Sequence, residues 1–492
     1  MARGARATRK NLAPLLVGTL VALPGAAHAS TFDLHGFGSR GASMANANVA
    51  DAKYYAGVYY NPADLVLSPP SAGVGGLMTL HNVQIRLAPR PAGYDIPDLG
   101  ETPEANPVYP SEDLLTPRAD PEDPGTSVFV YTGGTTSLGL EKLRLGIVAA
   151  IPIASSVPAQ TAFADEREQM FSNTLRFDLL GARVEHATLA MAAAYQVSDM
   201  FSLGIGLTYM PSTTMQNQGY LNDISQPDQI NLNVGIEIPG QFRPTAGILM
   251  TPIPELKLGI AFRDEQFMKL SGATIVQARG KQPNIDHPDE DTGSYPFRQD
   301  MDMVLQYTPR EVVAGGSAQF GKLTVNAEAA WSQWSAYKND HDEPGNFEDT
   351  LAYRLGAEYG LNADWRFRAG TAWEPTPVPD QTGRTNYVDN DRVVGAAGVE
   401  HTITVGNMAL IVAGHVEFQQ LLERTTMKKL GTDIACGTND SVVCDEMLAD
   451  DAERIGEPAS AADGLQTGNP GFPGWTSGGS MTSVGFDLTW QF

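Results

Sequence analysis

The side chains that most often carry enzyme chemistry are few and scattered in this chain. It contains 8 histidines and 2 cysteines among 492 residues. The sequence has no Gly-x-Ser-x-Gly elbow, no His-Glu-x-x-His helix motif and no phosphate-binding glycine loop. A lipase built on β-strands would need a serine and a histidine on the same face of neighbouring strands, and the alternation at 410–419 places His415 on the polar face of its strand. We therefore expect no enzyme, no metal and no cofactor.

The two cysteines, Cys436 and Cys444, lie close together in one polar segment. A metal site would need further histidine or cysteine ligands, and the segment 429–453 contains neither. In an exported protein, a local disulfide that closes a small loop is the expected state.

The N-terminus has the pattern of a secretory signal peptide. A basic head (Arg3 to Lys10) precedes a short apolar run (12–23) and an Ala-x-Ala cleavage site at Ala27 to Ala29. Residues 1–29 are predicted to be removed. This leaves 29 basic against 57 acidic residues, a net charge of −28. Such an acidic excess argues against nucleic acid as a partner, because phosphates need Lys and Arg to replace their counterions.

The C-terminus is the clearest strand in the sequence. From Val484 to Phe492, apolar side chains alternate strictly with small or polar ones. The same alternation recurs in the stretches 201–209, 256–263, 323–331, 365–373 and 410–419. A soluble sandwich would turn the apolar face inward, while a membrane barrel would turn it towards lipid. No later stretch is long and apolar enough for a transmembrane helix.

The connections between these strands separate the two architectures. The short ones lie around Glu141, at Ser198 and Asp199, at 252–254, around Gly321, at Asn362 and Ala363, and around Gly406. The long ones span 88–124, 156–183, 214–241, 272–299, 336–348, 377–388 and 425–478. Short and long connections alternate, as in up-and-down barrels with tight periplasmic turns and long extracellular loops. The pattern predicts an all-β fold: a 14-stranded antiparallel transmembrane barrel over residues 69–492.

Residues 30–68 do not follow the strand pattern. They are rich in Gly, Ala, Asn and Ser, and they end near the triplet Asn61, Pro62 and Ala63. Asn is a favoured helix cap and Pro is tolerated at the first helical position. Small side chains suit close packing inside a barrel, so the segment is expected in the lumen or in the periplasm.

Two patches and the C-terminal strand resemble the FadL-type outer-membrane transporters. The first patch runs from Gly38 to Ala63 and includes Asn61, Pro62 and Ala63. The second contains Pro377, Val378 and Pro379, followed by Asp389, Asp391 and Arg392. That family takes up long-chain fatty acids and, in some members, aromatic hydrocarbons. The resemblance covers the mature chain in architecture and implies that residues 30–68 form an N-terminal hatch, in which Asn61, Pro62 and Ala63 help to close the lumen.

The resemblance also implies a sideways exit through the third strand, which is kinked in the family. The predicted third strand (143–153) carries Pro152 near its upper end. Proline lacks the ladder donor and is confined to edges, bulges and strand ends. Pro152 therefore either marks the kink or simply ends the strand, and Ala149 and Ala150 would line the opening.

The loop 162–177 is the candidate for first contact with cargo, because apolar surface could receive a hydrocarbon tail and an Arg could pair with a carboxylate. Its candidate residues are Phe163, Arg167, Met170, Phe171 and Arg176. Packing of this loop on its neighbours is the alternative.

These features predict a monomeric barrel in the outer membrane that takes up hydrophobic molecules passively, with long-chain fatty acids as the first expectation. Membrane lipid and the barrel assembly machinery are the expected partners. The alternatives are an aromatic hydrocarbon channel, a general porin and a structural adhesive barrel. Lys53, Tyr54 and Tyr55 depart from the family, which commonly has acidic residues there, and this leaves the cargo open.

Overall fold

The computed structural model describes residues 32–87, 118–120, 125–155, 162–164, 174–176, 187–222, 229–278, 296–338, 346–381, 387–406, 408–427 and 474–492. Its helices are α1 (Phe32–His35), α2 (Gly38–Ser43) and α3 (Gly57–Tyr60), with 3-10 turns at Tyr54–Ala56, Pro62–Leu67 and Trp334–Ala336. No helix in these ranges has the length and apolar character needed to cross a membrane.

The strands in the described ranges are numbered in chain order. They are β1 (Ser71–Leu87), β2 (Arg118–Asp120), β3 (Gly125–Thr136), β4 (Leu143–Ser155), β5 (Ala162–Ala164), β6 (Thr174–Arg176), β7 (Thr188–Gln196), β8 (Phe201–Met210), β9 (Thr213–Asn222), β10 (Gln229–Ile238), β11 (Gln241–Ile253), β12 (Leu256–Arg263), β13 (Gln266–Ala278), β14 (Pro296–Thr308), β15 (Arg310–Phe320), β16 (Leu323–Gln333), β17 (Thr350–Gly360), β18 (Trp365–Glu374), β19 (Arg392–Val405), β20 (Met408–Met427) and β21 (Gly474–Gln491).

In the described residues, fourteen of these strands form a closed antiparallel barrel. Its order is β1-β3-β4-β7-β8-β11-β12-β15-β16-β17-β18-β19-β20-β21. The ring closes because β1 pairs with β3 on one side and with β21 on the other, where Ser71 lies opposite Gln491. The predicted fourteen-stranded barrel is confirmed.

The alternating sequence pattern places the apolar side chains on the outside of the barrel. On β21, Val484 and Phe486 are 53% and 55% exposed, whereas the intervening Asp487 is 8% exposed. In a membrane barrel the outward face meets lipid, so exposed apolar side chains are stable there. The inward positions of β21 from Gly485 to Gln491 are small or polar, as the sequence predicts.

All six predicted short connections are turns, and they lie at one end of the barrel, called here the turn side. The opposite end is the loop side. Two of the predicted long loops, 214–241 and 272–299, contain long strands, whereas 88–124 and 156–183 contain only strands of three residues in their described parts. Their strands β9, β10, β13 and β14 form a separate four-stranded sheet.

Each strand of this second sheet continues a barrel strand after one or two residues, so the sheet extends the wall on the loop side. Proline residues such as Pro211 and Pro309 occupy the interruptions, where their missing N–H would break a ladder. The sequence of β10 alternates from Ile230 to Ile238. Such alternation is typical of a strand, although the sequence analysis predicted a loop for 214–241.

The buried core of the molecule lies inside the ring of strands. Side chains of residues 32–68, named the N-terminal segment below, pack there against inward-facing wall residues. One cluster combines Phe37, Tyr55 and Leu65 of the segment with Tyr131 and Val148 of the wall. The barrel thus has its apolar core between the wall and the N-terminal segment.

Candidate transport site

The N-terminal segment is held by inward-facing carboxylates from distant parts of the wall. The Asp487 carboxylate of β21 accepts hydrogen bonds from the Ser39 backbone N–H and, at 2.9 Å, from the Tyr55 hydroxyl. Glu328 of β16 accepts from the Val49 N–H at 2.9 Å. Asp487 thus satisfies a backbone donor at the start of α2, and Glu328 satisfies one in the turn that follows this helix. The segment is therefore anchored on several sides of the lumen.

Asn61 joins three structural elements. Its side-chain oxygen accepts from the Ala63 N–H at 3.0 Å and caps the 3-10 turn that begins at Pro62. Its amide nitrogen donates to the carbonyl oxygens of Val49, at 2.7 Å, and of Ile248 in β11, at 3.2 Å. The predicted cap with proline at the first helical position is present. The additional bond to the wall was not predictable from the sequence.

Glycines in two wall strands make room for this triplet. A Cβ atom on Gly247 would lie 1.8 Å from the Asn61 side-chain oxygen, and one on Gly204 would lie 2.3 Å from the Ala63 nitrogen. Real Cβ atoms do not approach other atoms so closely, so these wall positions require glycine while the triplet stays in place.

On the turn side of the segment, Asp51 is surrounded by three cations. Its carboxylate accepts from Arg40 at 2.6 Å, from Lys53 at 2.8 Å and from Lys257 of β12 at 2.5 Å. Arg40 also donates to Glu358 of β17 at 3.1 Å. The segment and the wall thus share a buried ion-pair network. Lys53, at the point where the sequence departs from the family, is one of its members.

Two carboxyl groups of the segment are shifted in opposite directions. Burial opposes ionisation of Asp51, but its three cations outweigh burial and hold the pKa of that carboxyl well below its usual range. Asp64 is fully buried and accepts a single hydrogen bond, from the Ala52 N–H at 2.8 Å. Burial raises the pKa of Asp64 well above its usual range. Asp51 is therefore the charged anchor, while Asp64 favours its protonated form.

A histidine contact holds the tip of the segment. Nδ1 of His35 lies 2.9 Å from a carboxylate oxygen of Glu417, and its Nε2 lies 3.2 Å from Nε2 of His81. Gln419 donates to the Leu34 carbonyl at 2.7 Å. His35 and Glu417 are fully buried. The tip, α1, is therefore fixed against β1 and β20.

A cavity of about 100 Å³ lies on the loop side of the segment. The segment contributes Phe32, Asp33 and Tyr59 to its lining, and the wall contributes charged and aromatic side chains. Four of the wall residues are arginines: Arg243, Arg263, Arg354 and Arg392. The lining also contains five carboxylates, those of Asp33, Glu311, Glu328, Glu374 and Asp389. The cavity therefore offers apolar surface together with charged groups of both signs.

Three of these arginines donate hydrogen bonds to protein groups. Arg243 donates to the backbone oxygens of Asp264, at 2.6 Å, and Pro309, at 3.2 Å. Arg263 pairs with Glu311 and donates to the carbonyls of Tyr59 and Tyr60. Arg354 donates to Glu328 at 3.1 Å and to Glu374 at 2.9 Å. These three arginines stabilise the cavity wall.

The second patch that resembles the family folds into one unit at the rim of this cavity. Thr376 donates from its backbone N–H to Asp391 and from its hydroxyl to Asp389, both at 2.8 Å. Asn390 donates to the Leu422 carbonyl at 2.8 Å. The two ends of the predicted loop 377–388 are therefore tied together.

The proline-flanked part of the same patch packs into an aromatic cluster. Val378 is buried with Tyr307, Tyr337, Phe347 and Tyr387. Pro377 lines the cavity, and the Pro379 carbonyl accepts from Gln381 at 3.0 Å. Arg392 begins β19 and also lines the cavity. The structure thus brings the sequence-predicted motif residues to the loop side of the lumen.

The predicted third strand is β4, the third strand of the barrel. Its described ladder with β7 ends at the pair Ala150 and Thr188. On its other side the register with β3 shifts, so that Phe129 faces Pro152. Pro152 therefore lies at an irregularity of the strand. Ala150 is buried against the lumen core, whereas Ala149 is half-buried on the opposite face.

The structure describes little of the predicted cargo-binding loop. Phe163 lies in β5 and Arg176 in β6, two short strands that pair with each other. Arg167, Met170 and Phe171 lie outside the described residues, as do Cys436 and Cys444 and the predicted signal peptide 1–29. The functions assigned to these residues remain predictions.

Sequence reasoning missed the wall residues that hold the segment and line the cavity. Glu328, Glu358, Glu417 and Asp487 each occupy an inward position of an alternating strand. That alternation was a usable signal, because it places acidic side chains in the lumen. Which of them meet the N-terminal segment could not be read from the chain, since His35 and Glu417 are 382 positions apart.

The closed fourteen-stranded barrel, its apolar outer face and its occupied lumen define an outer-membrane transport barrel. The family of outer membrane transport proteins described as OMPP1/FadL/TodX matches residues 151–420, more than half of the sequence. The chain belongs to this family, which confirms the predicted resemblance and the location in the outer membrane. The family consists of transport proteins and not of enzymes.

Two curated relatives are similar over parts of the chain. A long-chain fatty acid transport protein of Escherichia coli is 21% identical over 263 residues, which cover 47% of this chain and 59% of that protein. Alkane uptake protein A of Marinobacter nauticus is 35% identical over 83 residues, 16% of this chain and 18% of that protein. The chain thus matches under two thirds of the length of each.

Solved structures share the fold over nearly the whole chain. A FadL homologue of Pseudomonas aeruginosa covers 95% of this chain and 98% of its own, with a TM-score of 0.54 and 15% identity. The toluene transporter TodX of Pseudomonas putida covers 94% of this chain and 99% of its own, with a TM-score of 0.51 and 12% identity. At these identities the likeness establishes the fold alone.

Proposed function

We propose that this protein is a monomeric channel for the passive uptake of hydrophobic molecules across the outer membrane, with long-chain fatty acids as its cargo. The observation that carries the proposal is the arrangement of the lumen. The N-terminal segment occupies it, and a cavity lined by apolar side chains, arginines and carboxylates lies on the loop side of that segment. A general porin would need an open polar bore.

The proposed route has three steps. Cargo is captured by the extracellular loops and enters the cavity, where it contacts Phe32 and Asp33 at the tip of the segment. The segment then acts as a hatch, and rearrangement near the tip and the Asn61 to Ala63 triplet opens the path. The cargo leaves sideways where the described ladder between β4 and β7 ends.

Two physical features support the sideways exit. A hydrophobic molecule is stabilised by moving from the lumen into lipid without crossing water. On the turn side of the lumen, the ion pairs of Asp51 and Arg40 join the N-terminal segment to the wall, which favours an exit elsewhere. Surrounding lipid and the barrel assembly machinery are the partners in this proposal.

The proposal is tested by uptake in cells that lack their own transporter and express this chain. Radiolabelled oleate should accumulate faster than in cells with an empty vector, at equal amounts of assembled barrel. Mass spectrometry of lipids extracted with the purified protein should find a fatty acid. Equal oleate accumulation in both strains would contradict the proposal.

Hydrocarbon uptake is the second candidate. The match to alkane uptake protein A over 83 residues is the observation that favours it. Accumulation of hexadecane or toluene, without accumulation of oleate in the same cells, would select this candidate.

A further inference from the structure

We propose that His35, His81 and Glu417 form a proton-sensitive latch, which holds the tip α1 on the barrel wall near neutral pH and releases it in acid. The inference rests on the proposed function, because α1 contributes Phe32 and Leu34 to the lining of the cavity that receives cargo. It adds a regulation of the proposed hatch by the pH of the medium.

The contact between the two imidazole rings of the latch takes a single proton. Nε2 of His35 lies 3.2 Å from Nε2 of His81, so one of these nitrogens donates and the other accepts. The ring centroids are 5.4 Å apart and the ring planes differ by 25°. When both rings are charged, both nitrogens are donors, and two positive charges face each other. The contact that holds α1 then becomes repulsive.

Glu417 lies on the other side of His35. Its Oε1 is 2.9 Å from Nδ1 of His35 and accepts from the Gln419 side chain at 2.8 Å. Both partners, His35 and Glu417, are fully buried. An adjacent carboxylate favours the charged form of an imidazole. His35 is therefore charged first, and the repulsion arises when His81 takes up the next proton.

On the wall, the neighbouring titratable groups do not compensate a second positive charge. His415 of β20 is buried and interacts electrostatically with His35, so its protonation would add to the repulsion. The carboxylate of Asp487 lies opposite Gly75 on β1, nearer the turn side than His81. Neither group stabilises the doubly charged contact.

The remaining charged groups near the latch are occupied or balanced. Asp33, in α1 itself, accepts from the Tyr59 hydroxyl at 2.8 Å. Glu374, Arg354 and Arg392 act through space on the latch carboxylate, with two positive charges against one negative. The second proton therefore meets no additional carboxylate in these surroundings.

Acid favours the released tip because release separates the two rings and allows one more proton to bind. A free imidazole takes up its proton at about pH 6.5. Below this pH, release becomes more favourable by up to about 10-fold per pH unit for that one proton. The shifted carboxyl groups of the segment do not produce this response. The pKa of Asp51 is held well below this range, and the raised pKa of Asp64 stabilises the segment in acid.

The test is hydrogen exchange of the tip in the full-length protein in detergent at pH 7.5 and 5.0, expressed as protection factors relative to the intrinsic rate at each pH. Two amides report on the tip. The Gly36 N–H donates to the Phe32 carbonyl at 2.8 Å, and the Phe37 N–H donates to the Tyr60 hydroxyl at 2.9 Å. In the wild type, their protection factors should fall roughly 10- to 30-fold from pH 7.5 to 5.0.

His81→Gln keeps a hydrogen-bond partner for His35 but cannot become charged. Its protection factors should be similar at both pH values. His401→Gln is the matched control, because His401 stacks on Trp365 on the outward face of the wall, with ring centroids 4.3 Å apart. It should respond to pH like the wild type. If His81→Gln assembles poorly, His35→Gln provides the same test without a change in a wall strand.

Equal wild-type protection at the two pH values would overturn the inference. An unchanged pH response in assembled His81→Gln would overturn it as well, because other groups would then cause the response. Oleate uptake separates the latch from the proposed function. Uptake of oleate without pH-dependent protection of the tip would refute the latch alone. Release of the tip in acid without oleate uptake at either pH would refute the proposed function and leave the latch intact.

Discussion

Asn61 contributes more to the N-terminal segment than a cap alone. A capping side chain is worth about 1 kcal/mol in typical helices. Here the same side chain also donates to Val49 within the segment and to Ile248 in the wall. Because one residue links the turn, the segment and the barrel, its loss should loosen the segment while the strand ladders stay intact.

We therefore expect Asn61→Ala to change oleate uptake at least severalfold without reducing the amount of assembled barrel. The measurement is uptake normalised to the heat-modifiable band on a gel. Asn362→Ala is the control, since Asn362 caps a turn-side hairpin by accepting from Asp364 and Trp365. Normal uptake by assembled Asn61→Ala, or by a barrel lacking residues 61–63, would contradict a gating role.

The substitution of Asp by Asn can be tested at Asp51, which favours its charged form, and at Asp64, which favours its protonated form. The pKa of the Asp51 carboxyl is about 4 in the unfolded chain and lower in the folded protein. Asp51 therefore stabilises the fold at pH values above about 4, and this stabilisation is lost as pH falls through the lower pKa of the folded protein. The raised pKa of Asp64 gives stability that is present at low pH and lost as pH rises through its folded value. Asparagine mimics a protonated carboxyl group in both places.

Asp51→Asn should accordingly loosen the segment at neutral pH by about 3–5 kcal/mol, the usual cost of breaking a buried ion pair. Asp64→Asn should keep or increase the protection of residues 32–68 against hydrogen exchange. As pH rises from 5 to 8, this protection should fall less in Asp64→Asn than in the wild type. Hydrogen exchange of residues 32–68 measures both. Faster exchange in Asp64→Asn than in Asp51→Asn at pH 7 would show that the two roles are wrongly assigned.

At the scale of strands, the alternating pattern was sufficient to predict the barrel. The apolar faces, the six turns and the closing strand β21 follow from period-two alternation and connection length. The extension by β9, β10, β13 and β14 was not predicted, because the polar composition of 214–241 and 272–299 obscures the alternation within 229–238. The position of the N-terminal segment depends on contacts between residues hundreds of positions apart, such as Ser39 and Asp487, so it could not be derived locally.

The last described pair of the ladder between β4 and β7, Ala150 and Thr188, gives a place to test the proposed sideways exit. Ala150 is buried in the lumen cluster with Ala190 and Ala192, whereas Ala149 lies on the other face of the same strand. Ala150→Phe should abolish oleate uptake by filling the exit, at a stability cost of about 1–3 kcal/mol from overpacking. Ala149→Phe adds the same volume on the outward side and should leave uptake near normal.

Both variants must first form heat-modifiable barrels in equal amounts. If Ala150→Phe assembles poorly, Ala150→Val is the smaller substitution and should reduce uptake partially. Wild-type uptake rates in assembled Ala150→Phe protein would count against an exit at this position.

At the scale of the whole molecule, the charged N-terminal segment and the wall depend on each other. The lumen is lined with glycines, carboxylates and arginines that would face water in an empty barrel. The segment covers them and supplies partners such as Arg40 and Asp51. The stability of the barrel itself comes from its fourteen closed strand ladders, since closure leaves no unpaired edge in the membrane. The two parts should therefore be separable.

This separation predicts the electrical behaviour of the protein. In planar bilayers the full chain should show little ion conductance, because the segment fills the lumen. Removal of residues 32–66 should leave an assembled barrel with large, stable conductance steps. Arg40→Ala combined with Asp51→Ala, which removes the turn-side ion pairs but keeps the segment, should give brief openings of intermediate size. Large steady conductance by the full chain would instead identify an open porin and would remove the need for a hatch or a sideways exit.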